Sequence, residues 1–143
     1  MSFPRAIILL LASLSMAKNF PPEDDYCIKP NLVFTAAIFF EHVTLQQRHI
    51  NAIQVLYFIE KLPLEVNVTG IIPWKSNSGN TAIALDIKNK NFTDFAKVFH
   101  FKPTEWKEIP YNRSKDAFTL SINGTPIEAS HAQCHTTTTP GPR

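Results

Sequence analysis

Two stretches of the chain gather side chains with chemical capacity. His131-Ala132-Gln133-Cys134-His135 brings two imidazoles and a thiol within five residues, the donor types that zinc prefers. Glu23-Asp24-Asp25 sets three carboxylates in a row. A zinc site takes a fourth ligand at recognisable spacing, and the sequence holds no second His/Cys cluster to supply it. No metal and no cofactor are therefore expected. Carboxylates that act as acid and base need a pocket that drives their proton affinities apart. The polar surroundings of Glu23, which follows Pro21-Pro22, predict solvated groups instead. There is also no nucleophile elbow, no His-Glu-x-x-His helix and no phosphate-cradling glycine loop, so the chain reads as a non-enzyme with no catalytic residue.

The remaining chemistry is that of export. Residues 1–17 carry Arg5, an apolar run from Ala6 to Ala12, and Ser15-Met16-Ala17 with small residues three and one before a cleavage point, the pattern of a secretory leader. The run is well short of the roughly 20 residues that span a bilayer, so no membrane insertion is expected. In an oxidising compartment Cys27 and Cys134 should pair. Closing a loop of that length is worth about 4–5 kcal/mol in unfolded-chain entropy. Four acceptor triplets for N-linked sugar follow, at Asn67, Asn91, Asn112 and Asn123. If Leu64 to Thr69 is a strand, its alternation turns Asn67 outward with Glu65 and Thr69.

The elements that must position these groups belong to a single domain, since 143 residues with 44% hydrophobic content fill one core and not two. A net charge of +2 gives no electrostatic footprint for nucleic acid. Eleven prolines beside four glycines argue for strands and turns over long helices. Residues 18–31 read as an extended lead-in, 32–135 as the folded domain and 136–143 as a disordered Thr/Pro tail. Within the domain, Val33 to Leu62 is strongly apolar and rich in β-branched and aromatic side chains, which favours strands although Ile50, Ile53 and Tyr57 keep a helix-compatible spacing. Leu64 to Val68, Ile83 to Ile87, about Phe95 to Phe101, and Ala117 to Ile122 are expected strands. Pro73 to Asn80 is expected as a polar turn region, and Asn123-Gly124 as a hairpin turn. The class is all-β, an antiparallel sandwich.

The order of these pieces resembles the galectin family of β-galactoside-binding lectins. Leu64 to Pro73 is similar to an early strand of that family and Ile83 to Ile87 to the next. Val98-Phe99-His100-Phe101-Lys102-Pro103 is similar to its His-Phe-Asn-Pro-Arg core, Ile109 to Ser114 to its downstream Asn-Ser, and Phe118 to Gly124 to a late strand. The resemblance spans roughly Phe58 to Glu128. It implies a jelly-roll-like sandwich of the galectin/concanavalin type, truncated relative to the family. It also implies glycans or glycoproteins as partners, with His100, Lys102, Asn112 and Trp106 as the carbohydrate-binding candidates. Lys102 and Thr104 replace the family's amide and guanidinium, and no tryptophan follows Asn112, so galactoside binding is expected to be altered or lost. The alternative is a secreted, N-glycosylated β-sandwich that acts structurally or through protein contacts, with no lectin activity.

Overall fold

The computed structural model describes residues 20–29, 35–59 and 62–135. The expected leader (1–17) and the Thr/Pro tail (136–143) lie outside them. Nine strands run antiparallel: β1 (Asp25–Ile28), β2 (Ala36–Leu45), β3 (Arg48–Ile59), β4 (Glu65–Val68), β5 (Ile72–Ser76), β6 (Ala82–Leu85), β7 (Ile109–Asn112), β8 (Ala117–Ile122) and β9 (Thr125–Ser130). The helix α1 (Lys90–Val98) and a 3₁₀ turn (Pro103–Trp106) separate β6 from β7, and the short helix α2 (His131–His135) follows β9.

The strand order β2-β1-β9-β8-β7-β6-β5-β3 closes on itself through the β2–β3 pair, and β4 pairs with Leu56 to Ile59 on the same edge of β3 that β5 meets at Ala52 and Ile53. Eight strands therefore form a closed up-and-down barrel. This overturns the jelly-roll sandwich: the β2–β3 pair joins the two ends of the strand order, so one sheet closes on itself where a sandwich packs two sheets face to face. The polar lead-in supplies β1, the expected turn region supplies β5, and β7 and β9 complete a ring of which the sequence pattern offered β2, β3, β6 and β8. A closed ring leaves no edges among its members.

Period-two alternation decides what fills the barrel. Tyr26 and Ile28 face in from β1, and the register Tyr26↔Ile38 and Ile38↔Val55 carries that face to β2 and β3. Trp74, Leu85, Ile83, Ile109, Tyr111, Phe118, Leu120 and Ala129 continue it round the ring, all buried. The longest hairpin, β2–β3, turns on Gln46 and Gln47, both at positive φ (48° and 63°), and the β8–β9 hairpin turns on Asn123 (53°) and Gly124 (81°) as expected.

The expected strand at Phe95–Phe101 is instead α1 and its cap. Asn89 accepts hydrogen bonds from the backbone N–H of Asn91 and Phe92, as an N-cap does. Phe92, Phe95, Ala96 and Phe99 then recur at helical spacing, the first three buried and Phe99 packed against the core. Phe92, Phe95, Phe101 and Trp106 stopper this end of the barrel, with Phe101 stacked on Trp106 at a centroid distance of 5.3 Å. The opposite end carries the β2–β3, β5–β6 and β7–β8 turns, the segment Phe20–Asp24, and α2.

Candidate functional site

The four carbohydrate-binding candidates do not share a strand face. His100 sits at φ +54° directly after α1, where its N–H donates to the Lys97 carbonyl while the Phe101 N–H donates to that of Ala96. These two bonds are the Schellman pattern that ends a helix, so the backbone of His100 terminates α1. Lys102 is exposed and flanks the 3₁₀ turn. Trp106 is fully buried and its Nε1–H donates to the Ser121 carbonyl at 2.8 Å. Asn112 ends β7 on the opposite rim, accepting from Ser114 Oγ at 2.7 Å and from the Lys115 N–H.

The glycosylation candidates are spread over the surface. Asn112 and Asn123 are exposed in or beside turns, and Asn91 is exposed on α1 with its side-chain amide donating to the Ile71 carbonyl. On β4 the expected alternation is present with its faces exchanged. Asn67 and Glu65 are half-buried and bonded to each other at 3.1 Å, whereas Val66 and Val68 are 52% and 56% exposed. The register explains the exchange: Asn67 lies opposite the inward-facing Tyr57, whose ring packs on Phe95 and Phe99 of α1.

The site that the structure does assemble lies towards the end of the barrel opposite α1, where β3 and β5 part. These strands pair only at Ala52↔Pro73 and Ile53↔Ile72, and beyond Ala52 the β2–β3 hairpin runs on without β5. The wedge between them is a cleft of about 590 Å³ with Pro73, Trp74, Leu85 and Ile50 as apolar walls and His49, Asn51, Lys75 and Asp86 as polar ones. A smaller cleft of about 110 Å³ opens beside it under Phe20–Asp24, lined also by Phe40 and His42. Trp74 contributes to both. Its indole is 95% buried, edge-on to Phe40 at 5.5 Å and to Phe20 at 6.3 Å. Among the described residues its Nε1 is the one buried side-chain polar atom without a hydrogen-bond partner. A buried donor left unpaired costs about 1–3 kcal/mol.

No protein-family model, curated protein or solved structure matches the chain.

The polar groups around the clefts are held in place. On the projecting hairpin His42 Nδ1 pairs with Asn51 Oδ1 at 2.9 Å and Thr44 Oγ1 with His49 Nδ1 at 3.2 Å, each across a directly opposed residue pair. On the same rim the hydroxyls of Tyr26 and Tyr111 both donate to Asp116 Oδ1 at 2.7 Å. Burial, and then the hydrogen bond to Asp116, push the Tyr111 phenol up to about 12 and the Tyr26 phenol further. Both remain neutral donors at physiological pH. Sequence reading missed Trp74, His49, Asn51 and Asp86. The available signal was the lone indole within a segment otherwise polar from Lys75 onward.

Proposed function

We propose that this chain is an exported glycoprotein whose barrel binds one small amphipathic molecule at the wedge between β3 and β5. The observation that carries the reading is Trp74 Nε1, a donor kept buried and unpaired beside a cleft. Eight-stranded barrels are wide enough either to be filled by side chains or to hold one small ligand; here side chains fill the interior and the space left is the cleft where β3 and β5 part. The cleft's 590 Å³ falls within the range of small-molecule sites, about 300–1,000 Å³. Its walls ask for an apolar body, and Trp74 asks for an acceptor oxygen on it. Export is supported by the Cys27–Cys134 disulfide, which joins β1 to α2, and by the exposed acceptors Asn91, Asn112 and Asn123. The carbohydrate reading is not carried forward, because His100 caps a helix and Trp106 is spent on the Ser121 carbonyl.

The test is a titration with 1-anilinonaphthalene-8-sulfonate, an aromatic sulfonate of the required chemistry, followed by fluorescence. Saturable binding that Trp74→Phe weakens and Trp106→Phe leaves unchanged supports the reading. Equal affinity in wild type and Trp74→Phe refutes it, and retention on a galactose column would return the lectin expectation. Mass analysis with and without N-glycosidase checks export separately: unmodified Asn67, Asn91, Asn112 and Asn123 together with two free thiols would sink it.

A further inference from the structure

The carboxylates and histidines that sequence reading set aside meet on the outside of the barrel. Tyr26 and Ile28 face in, so Asp25 and Cys27 face out, and the Cys27–Cys134 disulfide fastens α2 against β1. That bond brings Asp25, His131 and Cys134 within 4.8 Å of one another. The Cys134 sulfur is spent in the disulfide, but His131 has two further partners. Its Nδ1 lies 2.9 Å from Asp25 Oδ1 and 3.2 Å from the Asp25 carbonyl oxygen, and its Nε2 lies 3.6 Å from Glu23 Oε2. The ring of His135, one helical turn on, is centred 4.6 Å from that of His131.

Both oxygens of Asp25 near Nδ1 only accept, so Nδ1 carries the ring proton. Nε2 then presents a lone pair towards the lone pairs of Glu23. Two acceptors aimed at each other at 3.6 Å repel unless a positive centre stands between them: a proton on Nε2, or a metal ion. Ligand atoms about 2.0–2.1 Å from a tetrahedral zinc are roughly 3.3–3.5 Å apart, close to the spacing observed. A carboxylate that orients a ligand histidine through its other nitrogen is the usual outer support of such sites, and Asp25 stands in that position. His131 and Glu23 are 27% and 44% exposed at their side chains, which leaves the site open to solvent ions.

We propose that His131 Nε2, the Glu23 carboxylate and His135 form a binding site for a borderline divalent cation of the zinc type, with Asp25 as a positioning residue. The donor set of imidazole and carboxylate suits Zn²⁺ or Cu²⁺ and not Mg²⁺. The metal would join the segment before β1 to α2, beside the disulfide and apart from the cleft at Trp74, so it does not depend on the reading given above.

The experiment is isothermal titration of the disulfide-intact protein with ZnCl₂, and with MgCl₂ as comparator. The expected result is one zinc per chain, no response to magnesium, and a loss of about tenfold or more in affinity for both His131→Ala and His135→Ala. His135 is exposed at the end of α2, so His135→Ala removes a ligand without touching the core. The double variant His42→Ala/His49→Ala should keep full affinity. Asp25→Ala should weaken binding and Asp25→Asn, which still accepts from Nδ1–H, should restore much of it. Absence of saturable zinc uptake, uptake indifferent to His135, or uptake lost with His42 and His49 would each overturn the proposal.

Discussion

The two tryptophans allow one substitution to be made in two opposite polar contexts. Trp106 and Trp74 are both almost fully buried, so changing either to Phe removes a similar slice of packed ring, and that loss largely cancels in the difference. What remains is the indole N–H. In Trp106 it donates to the Ser121 carbonyl, beyond the reach of β7, whose ladder on β8 comprises Tyr111↔Phe118 and Asn112↔Ala117. Trp106→Phe forfeits a hydrogen bond worth about 1 kcal/mol net and leaves that carbonyl short of a partner, for a further cost of about 1–3 kcal/mol. In Trp74 the N–H has no partner, so Trp74→Phe removes an existing penalty of about 1–3 kcal/mol. The ligand-free Trp106→Phe protein should therefore be less stable than Trp74→Phe by about 3–7 kcal/mol, the broken bond and stranded carbonyl on one side adding to the relieved penalty on the other. Guanidinium unfolding followed by far-ultraviolet circular dichroism reads this directly. If Trp74→Phe costs as much as Trp106→Phe, Trp74 Nε1 is satisfied in solution and the argument for a ligand acceptor there falls.

Other consequences can be measured on the same protein. Replacing both Cys27 and Cys134 by Ser should remove about 4–5 kcal/mol of stability for a sequence separation of 107, and unfolding midpoints that coincide with and without the disulfide would contradict this. In ultraviolet alkaline titration of Tyr57→Phe, which leaves only Tyr26 and Tyr111, both should resist ionisation at the ordinary value near 10, Tyr111 responding at about 12 and Tyr26 only as the fold opens. Because the folded values are raised, this stability is whole below pH ~10 and lost as pH climbs towards ~12; tyrosinate formed at pH 10 by that variant with a native spectrum would refute it. Glu105 accepts from the N–H of Gly124 at 2.7 Å, from that of Asn123 and from Ser121 Oγ, which holds its carboxyl below the ordinary glutamate range. Its clasp on the β8–β9 turn is therefore whole above that range and is lost as pH falls below it, through the lowered folded value. Glu105→Ala should speed amide exchange at Asn123 and Gly124, and unchanged exchange would count against the clasp.

Where local pattern and tertiary role coincide, the fold was legible. Ala117 to Ile122 and the Asn123-Gly124 turn were readable because alternation and a positive-φ turn residue are both local. Val33 to Leu62 was read as strands, and the whole β2–β3 hairpin, Ala36 to Ile59, lies within it. The helix α1 was misread although Asn89 and the spacing Phe92, Phe95, Ala96, Phe99 announce it, because Phe95, Phe99 and Phe101 also fit a strand and Val98 to Pro103 resembles the galectin core motif. Closure was not readable at all. Whether strands make a sandwich or a barrel depends on which pairs with which across the chain, and the ring is completed by β1, a four-residue strand in a polar segment. The cation site was hidden for the same reason, since His131 and Asp25 are 106 residues apart.

The two ends of the barrel divide the labour between stability and chemistry. At the α1 end, aromatic rings meet one another and the one indole N–H there is satisfied, so a ligand would have to displace packed side chains and break a made bond. At the other end the aromatic cluster continues through Tyr111, Phe118, Phe40 and Trp74, but its outermost ring is Phe20. Phe20 belongs to the segment leading into β1, is only partly buried, and packs edge-on against Tyr111 at 5.1 Å. It thus supplies an apolar cover from a segment outside the barrel ladder, where replacing it breaks no strand pairing. Trp74 Nε1 is what that cover fails to satisfy, since a phenyl ring edge brings no acceptor oxygen. On the reading proposed above, a molecule seated in the wedge between β3 and β5, with an apolar body and one acceptor, would bring Trp74 the oxygen that Phe20 lacks and would displace no packed ring, which is why that reading puts the binding chemistry at this end and not at the other.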